Sequence, residues 1–206
     1  MKIICIGRNY REHIREFDNG EPNAEPVFFL KPDTALLRNN DTFWIPPFSR
    51  RVEYETELVV KIGRTGKCIA ERFARRYYDE VTLGIDFTAR DLQREAIAAG
   101  LPWEIGKAFD HSAAVAPRWL SLAALGKPVG ELRFEMALNG EVRQRGDASQ
   151  MIFSVDRIIS YVSQFLTLRM GDLIYTGTPA GVGPVAPGDR LTASLEGELL
   201  LDFDIR

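Results

Sequence analysis

Apolar and polar residues alternate along this chain in short stretches, and few stretches carry a helical period. Residues 2–7 are an apolar run ending at Gly7, the pattern of a short buried strand. Residues 10–17 read as a short helix, and residues 19–26 (NGEPNAEP) are rich in chain breakers and read as a loop. An apolar strand over 27–30 is stopped by Pro32. Two prolines within 44–48 restrict that stretch to an edge or a turn. Residues 52–62 make the longest strand pattern. A helix over 72–78, a strand over 81–87 and a helix over 91–99 follow, the last closed by Gly100. Asn139-Gly140 lies between two alternating segments, 132–138 and 141–145, which predicts a tight hairpin. Ser154 is placed to cap a helix running to residue 168, with Ile158, Ile159, Val162 and Phe165 on its apolar face. A strand over 173–175 and a hairpin of 191–195 with 199–203, turning at Glu196-Gly197, complete the chain. Strands outnumber helices and no βαβ alternation is present, so the pattern predicts a β-rich α+β fold. A length of 206 residues fits one domain spanning 1–206.

Composition narrows the class of partner more than the fold. The net charge is −3, so no global basicity invites nucleic acid or an anionic membrane. Arg72, Arg75 and Arg76 are the densest basic cluster and read as a solvated helix face. The two cysteines, Cys5 and Cys68, build neither a disulfide framework nor a zinc site. The first apolar stretch is too short for a signal-peptide core, and no segment has the length to span a bilayer. These features predict a cytoplasmic protein.

Five places carry candidate chemistry. Glu53, Glu55 and Glu57 alternate along the 52–62 strand and therefore share one face. Three carboxylates on one face repel unless water or a cation neutralises them, and hard divalent cations prefer such oxygens. Taken alone, the spacing favours the solvated outer face of an edge strand. Asp86 sits where a strand meets a helix; as a lone acid it reads first as a helix cap, and otherwise as a further oxygen ligand. Arg90 and Gln93 follow within a turn and either face the same cleft or lie on the surface; an arginine there can clamp a carboxylate with two hydrogen bonds. His13 and Glu16 are three apart on a helix, the spacing of a carboxylate that orients an imidazole base, although a chain with two histidines offers such a pair by chance. Lys107 lies among apolar and small residues, where a lysine either finds an anionic partner or snorkels to solvent. The glycine-rich stretch 175–184 matches neither a Walker A loop nor a dinucleotide fingerprint, and reads as a tight turn.

The order of these features is more specific than any one of them. Gly7-Arg8-Asn9-Tyr10 precedes His13 and Glu16. Phe29-Leu30-Lys31-Pro32, the Glu55/Glu57 strand, Asp86-Phe87-Thr88-Ala89-Arg90-Asp91, Lys107 and Thr176-Gly177-Thr178-Pro179 follow. Over nearly its whole length the chain resembles the fumarylacetoacetate hydrolase family, and most closely its short acylpyruvase and oxaloacetate decarboxylase-like members. The resemblance implies a mixed β roll with a few helices. It implies a homodimer binding Mg²⁺ or Mn²⁺ on Glu55, Glu57 and Asp86, with a catalytic His13–Glu16 dyad and Lys107. Arg90, Gln93 and Thr178 would bind substrate, and Glu53 falls outside the pattern. It also implies that the segment carrying the dyad is a lid, and the loop 18–25 has the composition to let it move.

The implied activity is hydrolysis of a carbon–carbon bond in an acylpyruvate or related short 2,4-dioxo acid, through a pyruvate enolate stabilised by the cation. Oxaloacetate decarboxylation and isomerisation of a 2-hydroxyhepta-2,4-diene-1,7-dioate type of acid pass through related charge, and remain open. The His13–Glu16 pair favours hydrolysis, which alone must activate water. A non-catalytic binder of a metal-chelated small acid would need the carboxylates without the dyad.

Overall fold

The computed structural model describes residues 1–17 and 20–206. Its centre is an eight-stranded sheet. Ile3–Gly7 lies between Val27–Lys31, antiparallel, and Leu173–Tyr175, parallel. Leu173–Tyr175 leads on to Thr56–Ile62 and then Tyr78–Asp86, both antiparallel. Ala113–Val115 and Leu36–Leu37 close the path, while Leu120–Ser121 pairs with the other end of Tyr78–Asp86. Alternation sends Ile4, Ile6, Leu58 and Val60 into the larger core. Ile3, Cys5, Val59 and Tyr175 face a smaller core on the opposite side.

Register places the acids on that second face. Glu57 pairs with Gly84 across the ladder. Residues opposite each other share a face, and so do residues two apart, so Asp86 joins Glu57 and Val59. Gly84 is required there: a Cβ would come within 2.5 Å of the Tyr175 ring and 2.7 Å of the Ala114 carbonyl.

The long strand expected over 52–62 is two strands, Val52–Tyr54 and Thr56–Ile62, interrupted at Glu55. Val52–Tyr54 pairs with Thr88–Ala89 and Gly183–Pro184 in a separate three-stranded sheet. The change of partners occurs at Glu55, and the Thr56 N–H donates to the Gln144 side chain (2.9 Å). The helix expected over 72–78 is a four-residue helix, Glu71–Ala74, followed by a 3-10 turn. Tyr78, an aromatic residue that suits a strand, opens the Tyr78–Asp86 strand.

Both hairpins form at the expected turns, within a four-stranded antiparallel sheet. Asn139-Gly140 and Glu196-Gly197 have positive φ at both positions, as a twist-matched two-residue turn requires. Ser154 caps Val155–Phe165, accepting from the Arg157 N–H at 3.2 Å. That helix stops short of residue 168 because Leu168 turns away to exchange two backbone hydrogen bonds with Gly66. Arg11–Phe17 is helical as expected. Of the expected mobile loop, residues 18 and 19 lie outside the described residues. Its remainder is tethered by Arg8 to Asn23 and by Glu25 to Arg157. Among the described residues, no helix is long and apolar enough to cross a membrane.

Candidate metal centre and active site

Glu55, Glu57 and Asp86 are buried together, and each offers an oxygen within 4.8 Å of the others. Two neighbouring strands supply them. Glu55 sits at the break between sheets, Glu57 one alternation further on, and Asp86 at the end of the opposing strand, its N–H donating to Glu55 O (2.8 Å). Asp86 is therefore a strand residue and not a helix cap; Ala89 holds the position before Arg90–Ala98.

Cations crowd the same acids. Lys107 Nζ donates to Glu55 Oε2 (2.7 Å), Asp86 Oδ2 (2.9 Å) and Thr88 Oγ1 (2.6 Å), which engages all three of its ammonium protons. Lys107 is buried and not snorkelling. Gly106 makes this approach possible: its Cα packs against Gln93, and a Cβ would lie 2.8 Å from the Gln93 nitrogen. Arg90, also buried, donates from Nε to Glu53 Oε2 (2.6 Å), from Nη1 to Gln93 Oε1 (2.5 Å) and from Nη2 to Glu55 Oε1. Lys31 Nζ stands 2.7 Å from Asp86 Oδ1 as an ion pair, while it donates to the carbonyls of Phe87 (3.2 Å) and Ser112 (2.9 Å).

Glu53 corrects the sequence reading. It is 2% exposed, not solvated, and it clamps Arg90 with one oxygen and Arg51 with the other. Four buried carboxylates (Glu53, Glu55, Glu57 and Asp86) thus meet three buried cations (Lys31, Arg90 and Lys107) and the half-exposed Arg51 on Glu53, and Glu57 is the one of the four with no ion pair among the described residues. The electrostatics follow these pairings. Burial raises the Glu55 carboxyl, but Lys107 and Arg90 outweigh burial and hold it well below the usual carboxylate range. For Glu57 the balance is reversed: burial, then the charges of Asp86 and Glu55, push it well above that range, and the Gly177 N–H and Lys107 offset only part of this. Its one strong donor is the Gly177 N–H, at 2.6 Å from Oε2. Lys107 and Arg90 stay charged, since carboxylate partners outweigh the burial that would lower them.

This donor set fits a hard divalent cation. Three carboxylates converge, no thiolate is among them, and Asp86 Oδ1, although ion-paired with Lys31, receives no well-directed hydrogen bond.

Of the other expected residues, His13, Gln93 and Thr178 line the same cavity, of about 350 Å³, and Glu16 reaches it only through His13. The His13 Nδ1 lies 3.3 Å from Glu16 Oε2, and the other Glu16 oxygen accepts the Gly181 N–H at 2.7 Å. A carboxylate on Nδ1 leaves Nε2 as the basic nitrogen. The Thr178 hydroxyl donates to Thr56 O (3.0 Å) and accepts from Gln144 Nε2 (2.8 Å). Gly177 adopts φ +100° with Asn9 against it, where a Cβ would lie 2.7 Å from the Asn9 Cβ. Asn9 in turn donates to the carbonyls of Thr176 (2.7 Å) and Phe153 (3.1 Å). The glycine-rich stretch is thus the seam joining the Glu57 strand to the segment that carries the dyad.

Local pattern assigned Lys31, Thr88 and Gln144 no role and left Glu53 as a solvated residue. Two of them carried a signal: Glu53 its alternation with Glu55 and Glu57, and Lys31 its place directly after the apolar run 27–30.

Comparison with known proteins agrees with this geometry. The family model for the fumarylacetoacetate (FAA) hydrolase C-terminal region matches residues 2–202. The bovine protein named oxaloacetate tautomerase FAHD1, mitochondrial, is 41% identical over 203 residues, covering 98% of this chain and 90% of that protein. The crystal structure of fumarylpyruvate hydrolase from Pseudomonas aeruginosa, in complex with Mn²⁺ and pyruvate, superposes with a TM-score of 0.93 at 37% identity, covering 100% of this chain and 89% of that one. The 2-hydroxyhepta-2,4-diene-1,7-dioate isomerase from Mycobacterium marinum superposes with a TM-score of 0.84 at 34% identity, covering 99% and 73%. With its sheet order, its buried acids and these likenesses in agreement, the chain belongs to the fumarylacetoacetate hydrolase family.

Proposed function

We propose that this protein is a divalent-metal-dependent hydrolase that cleaves a carbon–carbon bond in an acylpyruvate or related short 2,4-dioxo acid. The observation that carries the reading is convergence: the Glu55–Glu57–Asp86 cluster, two buried cations and His13, which Glu16 contacts, border one cavity. Glu55, Glu57 and Asp86 would hold Mg²⁺ or Mn²⁺, and the cation, when bound, would supply Lewis-acid stabilisation of charge on the substrate's 2-oxo oxygen.

The chain's own residues account for the rest. Arg90, Gln93 and Thr178 hold the substrate carboxylate, Arg90 through its planar donors. Lys107 contributes its charge to the same region, its three protons being engaged by Glu55, Asp86 and Thr88. His13 Nε2 takes a proton from the water that attacks the 4-oxo carbon, with Glu16 fixing the ring through Nδ1. The C3–C4 bond then breaks and its electron pair moves towards the 2-oxo oxygen. C3 takes up a proton, and the fragments leave as a carboxylic acid and pyruvate.

A second reading is favoured by the 41% identity to the protein named oxaloacetate tautomerase. Moving a proton between C3 and the 2-oxo oxygen of oxaloacetate needs the same head-group contacts and no attacking water. Decarboxylation of oxaloacetate and isomerisation of a dienol acid make the same demand.

Pyruvate release from acetylpyruvate, measured with Mn²⁺ and then with excess chelator, tests the first reading. Chelator-sensitive release supports hydrolysis. No release, together with accelerated decay of the enol absorbance of oxaloacetate, replaces hydrolysis by tautomerisation.

A further inference from the structure

Glu57 stands apart from the other buried acids. Among the described residues it has no ion pair, and the one hydrogen bond it accepts comes from the Gly177 N–H, 2.6 Å from Oε2. The orientation of this carboxylate is therefore tied to a single peptide unit, the one joining Thr176 to Gly177.

That peptide is planar, so its carbonyl and its N–H point in opposite directions. Glycine turns easily about its own backbone, and Gly177 lies at φ +100°. A flip of the peptide would take the N–H away from Glu57 and aim the Thr176 carbonyl at the carboxylate instead.

Asn9 opposes the flip. Its Nδ2 donates to the Thr176 carbonyl at 2.7 Å, on the far side of the same peptide from Glu57. The side chain is fully buried and has no freedom to follow a moving carbonyl. Nδ2 also donates to Phe153 O (3.1 Å), and Oδ1 accepts the Phe153 N–H (2.8 Å). Both amide hydrogens and the oxygen are thus engaged in one orientation, since exchanging nitrogen and oxygen would set an oxygen against two carbonyls. The backbone completes the clamp, Asn9 O accepting the Ile152 N–H at 2.9 Å.

We propose that Asn9 is a positioning residue of the acidic cluster: by holding the Thr176 carbonyl it turns the Gly177 N–H onto Glu57 and presents that carboxylate to a divalent cation. The inference rests on the reading of Glu55, Glu57 and Asp86 as the metal ligands. Asn9 is not part of the cavity lining and acts through one peptide bond. It stands two positions before the helix Arg11–Phe17, so the anchor of the dyad segment and the anchor of Glu57 are one side chain.

The test compares the wild type with Asn9→Ala, Asn9→Leu and Ser154→Ala. Asn9→Leu keeps the volume of the side chain and removes its donors. Ser154→Ala removes the cap of the helix Val155–Phe165 beside the Phe153 contact, and so loosens the same neighbourhood without touching the Thr176–Gly177 peptide. Two quantities are read: Mn²⁺ affinity by calorimetry, and the Gly177 amide proton of the chelated protein by NMR. A short hydrogen bond to a carboxylate should place that proton far downfield and slow its exchange with solvent. Losing the partner that orients a metal ligand typically costs about 10–100-fold in affinity. Asn9→Ala and Asn9→Leu are expected to lose Mn²⁺ affinity by that order and to move the Gly177 proton upfield with faster exchange. Ser154→Ala should keep both at their wild-type values. Wild-type affinity with an unmoved Gly177 proton in the Asn9 variants overturns the proposal, and so does an equal loss in Ser154→Ala. The wild-type spectrum is a check that needs no variant: a freely exchanging Gly177 amide overturns the proposal even where neither Asn9 variant folds. A wild type that binds no Mn²⁺ removes the metal-site reading, and this inference with it.

Discussion

Glu53 accepts a 2.6 Å hydrogen bond from Arg90 Nε, with both side chains buried. Arg90 reaches on to Glu55, so one guanidinium ties a residue outside the acidic cluster to a residue within it. Arg90 keeps Glu55 when Glu53 is neutralised, so what is lost is one hydrogen bond between charged groups, typically about 1.5–3 kcal/mol. Glu53→Gln is expected to lower stability to urea by that order. It should also raise KM for the 2-oxo acid, because Arg90 exchanges a charged acceptor for a neutral amide oxygen and is held less firmly. Mn²⁺ affinity should change little, since Glu55, Glu57 and Asp86 remain. A large loss of Mn²⁺ affinity with unaltered KM would place Glu53 in the metal site instead.

The Glu53 result shows where sequence reasoning stops. Period-2 alternation correctly placed Glu55 and Glu57 on one face, and the Asn-Gly and Glu-Gly turns located both hairpins, because each depends on residues a few positions apart. Whether that face meets water or the interior depends on partners far along the chain. Arg90 lies 37 residues from Glu53, and Gln144 lies 88 from Thr56. The short helix Glu104–Lys107, which delivers Lys107, has too few residues to show a period. The order of motifs along the chain supplied what local pattern could not, and named the cluster before its geometry was known.

Glu57 predicts how metal binding and pH are linked. Burial and its acidic neighbours raise its carboxyl in the metal-free protein. A carboxyl whose folded value lies above the unfolded one, about 4.3, contributes stability below that value and loses it as pH rises towards the folded one. The Tm of the chelated protein should therefore fall from weakly acidic to weakly alkaline pH. A cation takes the place of the proton, so Mn²⁺ affinity should rise over the same range and the loaded protein should show a flatter profile. Glu57→Gln should flatten the chelated profile and abolish the Mn²⁺-induced rise in Tm. Parallel profiles for loaded and chelated protein would mean that Glu57 is ionised without metal.

His13 separates the two readings of function. Only hydrolysis draws a proton from water, and a positioned base typically contributes about 10²–10⁴-fold. His13→Ala is expected to lose pyruvate release from acetylpyruvate by that order while retaining Mn²⁺ binding in calorimetry. Glu16→Gln keeps an acceptor for the imidazole Nδ1–H but lacks the charge, so an intermediate loss is expected. Hydrolysis at the wild-type rate in His13→Ala would remove the dyad from the mechanism.

Gln144 is buried and spans the seam between the Glu57 strand and the glycine-rich stretch. Its oxygen accepts the Thr56 N–H at 2.9 Å, and its amide donates to Thr178 Oγ1 at 2.8 Å and Pro179 O at 3.0 Å. Leucine is close to glutamine in size but offers none of these contacts, so Gln144→Leu strands a buried N–H at a cost of about 1–3 kcal/mol. It also leaves the Thr178 hydroxyl with Thr56 O as its anchor. Stability and KM should therefore worsen together, while His13-dependent proton transfer, read from the pH profile of kcat, should keep its shape. Gln144→Glu offers a sharper test. Its carboxylate can still accept from Thr56 but turns an acceptor towards Pro179 O, so it should rescue stability poorly at neutral pH. Recovery in mildly acidic buffer, where a protonated carboxyl can again donate, would show that the direction of these hydrogen bonds sets the position of Thr178.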